Sequence, residues 1–128
     1  MTLAREGIGV AGPVGATLEV APASGDERAE TGRLVEAEGN AWLAATLDHR
    51  DIGALRTAAD DAAAAFGGID VLFANAGIQT FKLTLEMEDA DWHDQIDVNL
   101  TGTAIAIRAV ARHIVRRWGG RIIVTSPT

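Results

Sequence analysis

Three short apolar runs, each ending at a small or polar residue and each separated from the next by an amphipathic stretch, constrain this chain more than any other feature. The runs are AWLAATL at 41–47, IDVLFA at 69–74 and RIIVT at 121–125. Each is too short for a packed helix and suits a buried strand. Between the first two, Ile52, Leu55, Ala59, Ala62 and Phe66 recur at spacings of three and four. With Asp51 placed to cap and Gly67 and Gly68 to stop, they predict a helix over 51–66. Between the last two runs, Trp92, Ile96, Asn99, Thr103, Ile107, Val110 and Ile114 share one face of a long helix that Gly119 and Gly120 close. Strand and helix alternate, which is the pattern of parallel βαβ units with right-handed crossovers and helices on both faces of one sheet. In such sheets ligands bind beyond the carboxyl ends of the strands. Asp48, the segment 75–77 and the segment 125–127 therefore form the candidate site.

The first forty residues read less regularly. Leu3, Ala4, Arg5 and Glu6 followed by Gly7 have the composition of a last helical turn, and Ile8–Ala11 that of a short strand. Gly12, Pro13 and Gly15 open a loop that runs to about residue 25. Asp26 is placed to cap a helix over 26–38, with Ala29, Leu34, Val35 and Ala37 as its apolar positions and Gly39 and Asn40 as its stop.

Composition removes whole classes of function. Hydrophobic residues make up 48% and charged residues 23%, so a core can form. Eleven Lys and Arg against 18 Asp and Glu leave a net charge of −7, which argues against nucleic acid or an anionic membrane as partner. No apolar run approaches a membrane span, and the first residues carry no apolar signal core, so a cytoplasmic location is expected. Without cysteine there is no disulfide, thiolate metal site or thiol nucleophile; without tyrosine there is no phenolic general acid. His49, His93 and His113 lie far apart without i, i+4 ligand partners, so no metal site is expected. Ser126 lacks the nucleophile-elbow pattern of a hydrolase. His113, beside Arg112, Arg116 and Arg117, reads as favourable charge at a helix C-terminus, and Trp92 and Trp118 read as packed residues bracketing the long helix.

IDVLFANAGI at 69–78, DWHDQIDVNLTG at 91–102 and GGRIIVTS at 119–126 occur in order and resemble the short-chain dehydrogenase/reductase family. LAREG at 3–7 and LVEAEG at 34–39 are similar to pieces of that family's first half, and the long segment between Val10 and Asp26 is similar to an insertion of carveol-dehydrogenase-like members. The resemblance implies an incomplete Rossmann-like, three-layer sheet, a single partial NAD(P)-binding domain over 1–128. It also implies hydride transfer between the nicotinamide of NAD or NADP and a small-molecule alcohol or carbonyl. By resemblance, Asp48 ends the strand whose carboxylate binds the adenine amino group, and His49 takes the place of the apolar neighbour that packs on the ring. Asn75, Ala76 and Gly77 match the Asn-Ala-Gly segment, where Asn ties strands together and small residues let the backbone approach the adenosine ribose. Asn99 matches the Asn of the Asn-Ser-Tyr-Lys tetrad, whose backbone carbonyl holds a relay water. Ser126 aligns with the first Ser of the Ser-Ser strand ending. The family associates through the long helix, which makes this helix a candidate for homo-oligomer contacts.

Departures from the family pattern are equally specific. Pro127 stands where the catalytic Ser belongs, and a prolyl ring cannot donate its hydrogen bond. The Tyr and Lys of the tetrad have no counterpart in these 128 residues, nor does the Thr-Gly-x-x-x-Gly-x-Gly phosphate loop. A literal G-x-G-x-x-G at Gly7, Gly9 and Gly12 has neither a strand before it nor a helix after it, so it fails the structural context of a phosphate loop. The place of the family's first, central strand is empty by sequence, which requires either another segment there or a marginal sheet. The expectation is a fragment without activity of its own. The alternatives are a non-catalytic nucleotide-binding or protein-interaction module, or a chain that pairs with a separately encoded remainder.

Overall fold

The computed structural model describes the backbone of Thr2–Leu3 and Ile8–Ala11 and all of residues 25–125. The elements run β1 (Thr2–Leu3), β2 (Ile8–Ala11), α1 (Gly25–Ala37), β3 (Leu43–Thr46), α2 (Ile52–Phe66) and β4 (Val71–Ala74). They continue through α3 (Asp89–Gln95), a π-helix (Ile96–Gly102), α4 (Thr103–Arg116) and β5 (Arg121–Val124). The sheet order is β3-β2-β1-β4-β5. β2 pairs parallel with β3, and β4 parallel with β5. β1 is antiparallel to both β2 and β4, so the four longer strands all point the same way and share one carboxyl edge.

The central gap is thus occupied, and by an unexpected segment. Thr2 and Leu3 lie opposite Gly9 and Ile8 on one side and Phe73 and Leu72 on the other. The helical turn expected at 1–7 is corrected at these two residues. Facing rows of backbone N–H and C=O groups on β2 and β4 need partners, whereas a single helical turn has little cooperative support of its own. Residues 4–7 and 12–24 lie outside the described residues. Gly9, the middle of the G-x-G-x-x-G run, sits in the β2 ladder between Thr2 and Ala44.

α2 forms as its sequence pattern dictates. Asp51 Oδ1 accepts from the N–H groups of Gly53 and Ala54, at 2.8 and 3.0 Å, and Gly67 ends the helix in the left-handed region at φ 76°. Leu55, Ala59 and Ala62 meet Ala106, Ala109, Val110 and Ile114 of α4, and the pair covers Ile69, Leu72 and Ala74. Small alanines on both helices let their axes approach closely over β4. A polar tie reinforces the contact: Asp60 of α2 accepts from Arg112 at 2.5 Å and lies 2.9 Å from the buried Nε2 of His113. His113 is therefore a cross-helix residue, not free charge at a helix end.

Two other expectations are corrected. Trp92 is 57% exposed and Trp118 99% exposed, so neither packs at the ends of the long helix. The cause at Trp92 is the π-helix, whose wider turn shifts the buried face to Val98, Gly102, Ala106 and Ala109. Trp118 lies past the helix end at φ 64°. α1 is mostly exposed. Its one buried residue, Gly32, faces the indole of Trp42, where a Cβ would stand 2.6 Å from the ring. β3 and β5 are the sheet edges, and Ile122, Ile123 and Val124 of β5 remain half exposed.

Candidate functional site

The shared carboxyl edge brings Asp48, the 75–78 segment and Thr125 to one end of the sheet. Beyond β4, Thr125 Oγ1 donates to Asn75 Oδ1 at 2.7 Å, and Thr125 N–H donates to the Ala74 carbonyl at 3.1 Å. Asn75 therefore ties the end of β4 to the end of β5. Its neighbours are held from the other direction by the π-helix. Asn99 Oδ1 accepts from Ile78 N–H at 2.8 Å, and Asn99 Nδ2 donates to the Ile78 carbonyl at 2.9 Å. One carboxamide thus satisfies both backbone groups of a residue that is 8% exposed. A Cβ on Gly77 would come 3.1 Å from Asn99 Oδ1, so glycine at 77 makes room for this clamp.

His49 is 1% exposed, with neither ring nitrogen hydrogen-bonded. The ring edge abuts Gly102, the last residue of the π-helix, where a Cβ would sit 2.7 Å from Nε2. Burial pushes the His49 pKa down. The imidazole reads as a neutral wedge between the end of β3 and the π-helix. Asn99 and Gly102 lie three positions apart on the same π-helix, so the β3 end and the 75–78 segment rest on one support.

Asp48 is held by Arg50. Its Oδ1 accepts from Arg50 N–H at 2.8 Å and from Nε at 3.1 Å, and its Oδ2 accepts from Nη2 at 2.9 Å and from Nε at 3.2 Å. Arg50 Nη1 also reaches Asp94 of α3 at 3.4 Å. The guanidinium holds the Asp48 carboxyl below the usual carboxylate range. The loop after residue 78 is fastened before α3 by Asp91, whose Oδ2 accepts from Lys82 Nζ at 2.6 Å and from Glu88 N–H at 2.9 Å.

Among the sequence-predicted site residues, the structure brings Asn75, Ala76, Gly77 and Asn99 together and places Asp48 and His49 on the same edge. Ser126 lies outside the described residues. Sequence reasoning missed Arg50, Gly102 and Ile78. Gly102 carried a usable signal, since a glycine inside a helical pattern points to a close approach. Ile78 carried none, because its backbone, not its side chain, is what Asn99 holds. Among the described residues, no three His, Asp or Glu side chains group as metal ligands, and no helix is long and apolar enough to cross a membrane.

A sheet whose four longer strands run parallel, with the candidate site at their carboxyl edge, an Asn-Ala-Gly segment after β4 and a helix Asn clamped to it, has a Rossmann-like architecture. The short-chain dehydrogenase family model matches residues 4–128, and the chain belongs to that family. An uncharacterised NAD-dependent oxidoreductase of Mycobacterium tuberculosis is 38% identical over 130 residues, covering 97% of this chain and 47% of that protein. Among solved structures, a short-chain dehydrogenase from Mycobacterium paratuberculosis bound to NAD superposes with a TM-score of 0.86. It is 38% identical, over 91% of this chain and 44% of that one. A carveol dehydrogenase from Mycobacterium avium in complex with NAD gives 0.84, at 32% identity, over 93% of this chain and 44% of that one. The chain spans about half the length of the relatives it matches.

Proposed function

We propose that these residues form the adenosine-binding half of an NAD(P)-dependent oxidoreductase, with NAD the preferred cofactor, acting in the cytoplasm on a small alcohol or carbonyl compound. The observation that carries this reading is the double clamp of the 75–78 segment, from Thr125 on one side and Asn99 on the other, at the carboxyl edge of a parallel sheet. The NAD held by the two neighbouring structures and the name of the mycobacterial relative support NAD first.

The residues present fit the adenosine end of such a cofactor. The Asp48 carboxylate is an ionised acceptor for an amino group, and the exposed Gly77 backbone has no side chain to keep a ribose away. His49 serves from below as the wedge that sets the level of the β3 end. When bound, a nicotinamide dinucleotide supplies the hydride for reduction of a carbonyl. The clamp bonds of the Asn99 side chain fix the π-helix turn that carries its backbone carbonyl. A proton must also reach the carbonyl oxygen. These 128 residues contain no tyrosine to deliver it, a loss of roughly 10²- to 10⁴-fold in rate. Self-association is assigned to the exposed side of the long helix, at Leu100 and Val115.

The test is an assay of the purified chain with NAD(H) and NADP(H) against a panel of secondary alcohols and ketones, together with equilibrium dialysis of NADH. No turnover and weak, saturable NADH binding are expected. Turnover that disappears in Asn99→Ala would overturn the inactivity, and low-micromolar NADH binding would contradict the weakness expected without a phosphate loop.

A further inference from the structure

The Asp48 carboxylate is fully engaged by a single residue. Its Oδ1 takes the Arg50 backbone N–H and Nε, and its Oδ2 takes Nε again, at 3.2 Å, together with Nη2. An ionised carboxylate offers about four lone-pair sites, and these contacts fill them. The contacts are not equally durable. The bond from the backbone N–H spans two residues in an Asx-type turn and does not depend on where the side chain goes. The guanidinium ends a long, partly exposed side chain, and exposed ion pairs of this kind are weak. A second carboxylate is also within its reach. Nη1 lies 3.4 Å from Asp94 of α3, and Asp97 of the π-helix adds to the negative field on the same arm.

We infer that Arg50 is a resident competitor at the β3 end, a latch that covers the Asp48 acceptor sites and swings to Asp94 when a base carrying an exocyclic amino group takes its place. This rests on the adenosine-binding reading above. An amino N–H arriving at Asp48 meets two occupied oxygens, so Nε and Nη2 must leave before it can bond. The backbone N–H of Arg50 keeps the carboxylate in position throughout. In the exchange the guanidinium trades one carboxylate for another, and Asp48 trades an ionic donor for a neutral one. The apparent affinity for the base is the intrinsic affinity reduced by the fraction of chains with the latch open. Because the pair is partly exposed, that reduction is modest, about three- to five-fold.

The experiment titrates adenosine and purine riboside, which has hydrogen in place of the 6-amino group, into the isotope-labelled chain and reads amide shifts at 48–50 and 75–77. Neither nucleoside carries a phosphate, so removing the Arg50 charge acts on the base alone. Arg50→Ala is expected to bind adenosine about three- to five-fold more tightly than wild type, with purine riboside unchanged. Asp94→Asn removes the second carboxylate and is expected to weaken adenosine binding about two-fold in the wild-type chain and to have no effect in Arg50→Ala. Weaker adenosine binding by Arg50→Ala overturns the inference, because Arg50 then helps to hold the base. An equal gain for both nucleosides overturns it as well, since the amino group then plays no part, and so does an Asp94→Asn effect that persists without Arg50. If wild type binds adenosine and Arg50→Ala binds it no more tightly, the site reading stands and only the latch falls. If neither chain gives saturable shifts with adenosine, the adenosine-binding reading fails together with the latch.

Discussion

Replacing Asn99 by alanine removes both hydrogen bonds to Ile78, at 2.8 and 2.9 Å, from a residue that is 8% exposed. Each buried backbone group left without a partner costs about 1–3 kcal/mol. Water entering the vacated space recovers part of that, so the total is about 2–4 kcal/mol, a large share of a domain's typical ~5–15 kcal/mol. With a urea dependence of about 2 kcal/mol per molar, the midpoint followed by circular dichroism should fall by about 1–2 M. Hydrogen exchange supplies the local reading: the Ile78 amide should be protected in wild type and exchange much faster in the variant. Asn99→Asp separates hydrogen bonding from packing. It is nearly isosteric and keeps the acceptor for Ile78 N–H, but sets a carboxylate oxygen against the Ile78 carbonyl. It should cost about as much as alanine. An unchanged midpoint and unchanged Ile78 protection in Asn99→Ala, or near wild-type stability in Asn99→Asp, would refute the clamp.

The buried imidazole carries a pH dependence with a definite sign. The His49 pKa is lowered on folding from its ordinary 6.5, so the unfolded chain binds the extra proton first; stability is complete above about pH 6.5 and declines as pH falls toward the folded value. One proton accounts for at most about 2 kcal/mol between pH 6.5 and 5. His49→Leu should flatten that part of the profile in urea melts at several pH values, and an unchanged slope would contradict the assignment. Gly102→Ala should destabilise by about 1–3 kcal/mol through overpacking against the His49 ring, less up to about 1 kcal/mol of helix propensity. In a His49→Ala background the same substitution should become neutral or stabilising. A double-mutant cycle without that reversal would remove the contact from consideration.

What could be read ahead of the structure divides by physical cause. α2 was legible because its cap, its apolar spacing and its glycine stop are all local, and Asp51, Leu55 and Gly67 act as expected. β4 and the Asn75, Ala76, Gly77 segment were legible because a short apolar run between turn residues has few alternatives. The long helix was legible in extent but not in phase. A π-helix inserts an extra residue per turn with no local sequence mark, so Trp92 turned outward while Gly102 turned in. β1 was not legible, since two residues pair there only because β2 and β4 leave a place between them. The roles of Arg50 and His113 were hidden for a similar reason. Arg50 reaches Asp94 across 44 positions and His113 reaches Asp60 across 53, and no periodicity records such pairs.

The most direct measurement is a titration of the isotope-labelled chain with NADH, followed by amide chemical shifts. Perturbations confined to the carboxyl edge are expected, at 48–50 and 75–78, with Asn99 responding through its bonds to Ile78. Shifts that map instead to the amino ends of the strands, to the exposed β5 edge or to α1, or no saturable shifts at millimolar NADH, would contradict a cofactor site built on the clamped 75–78 segment.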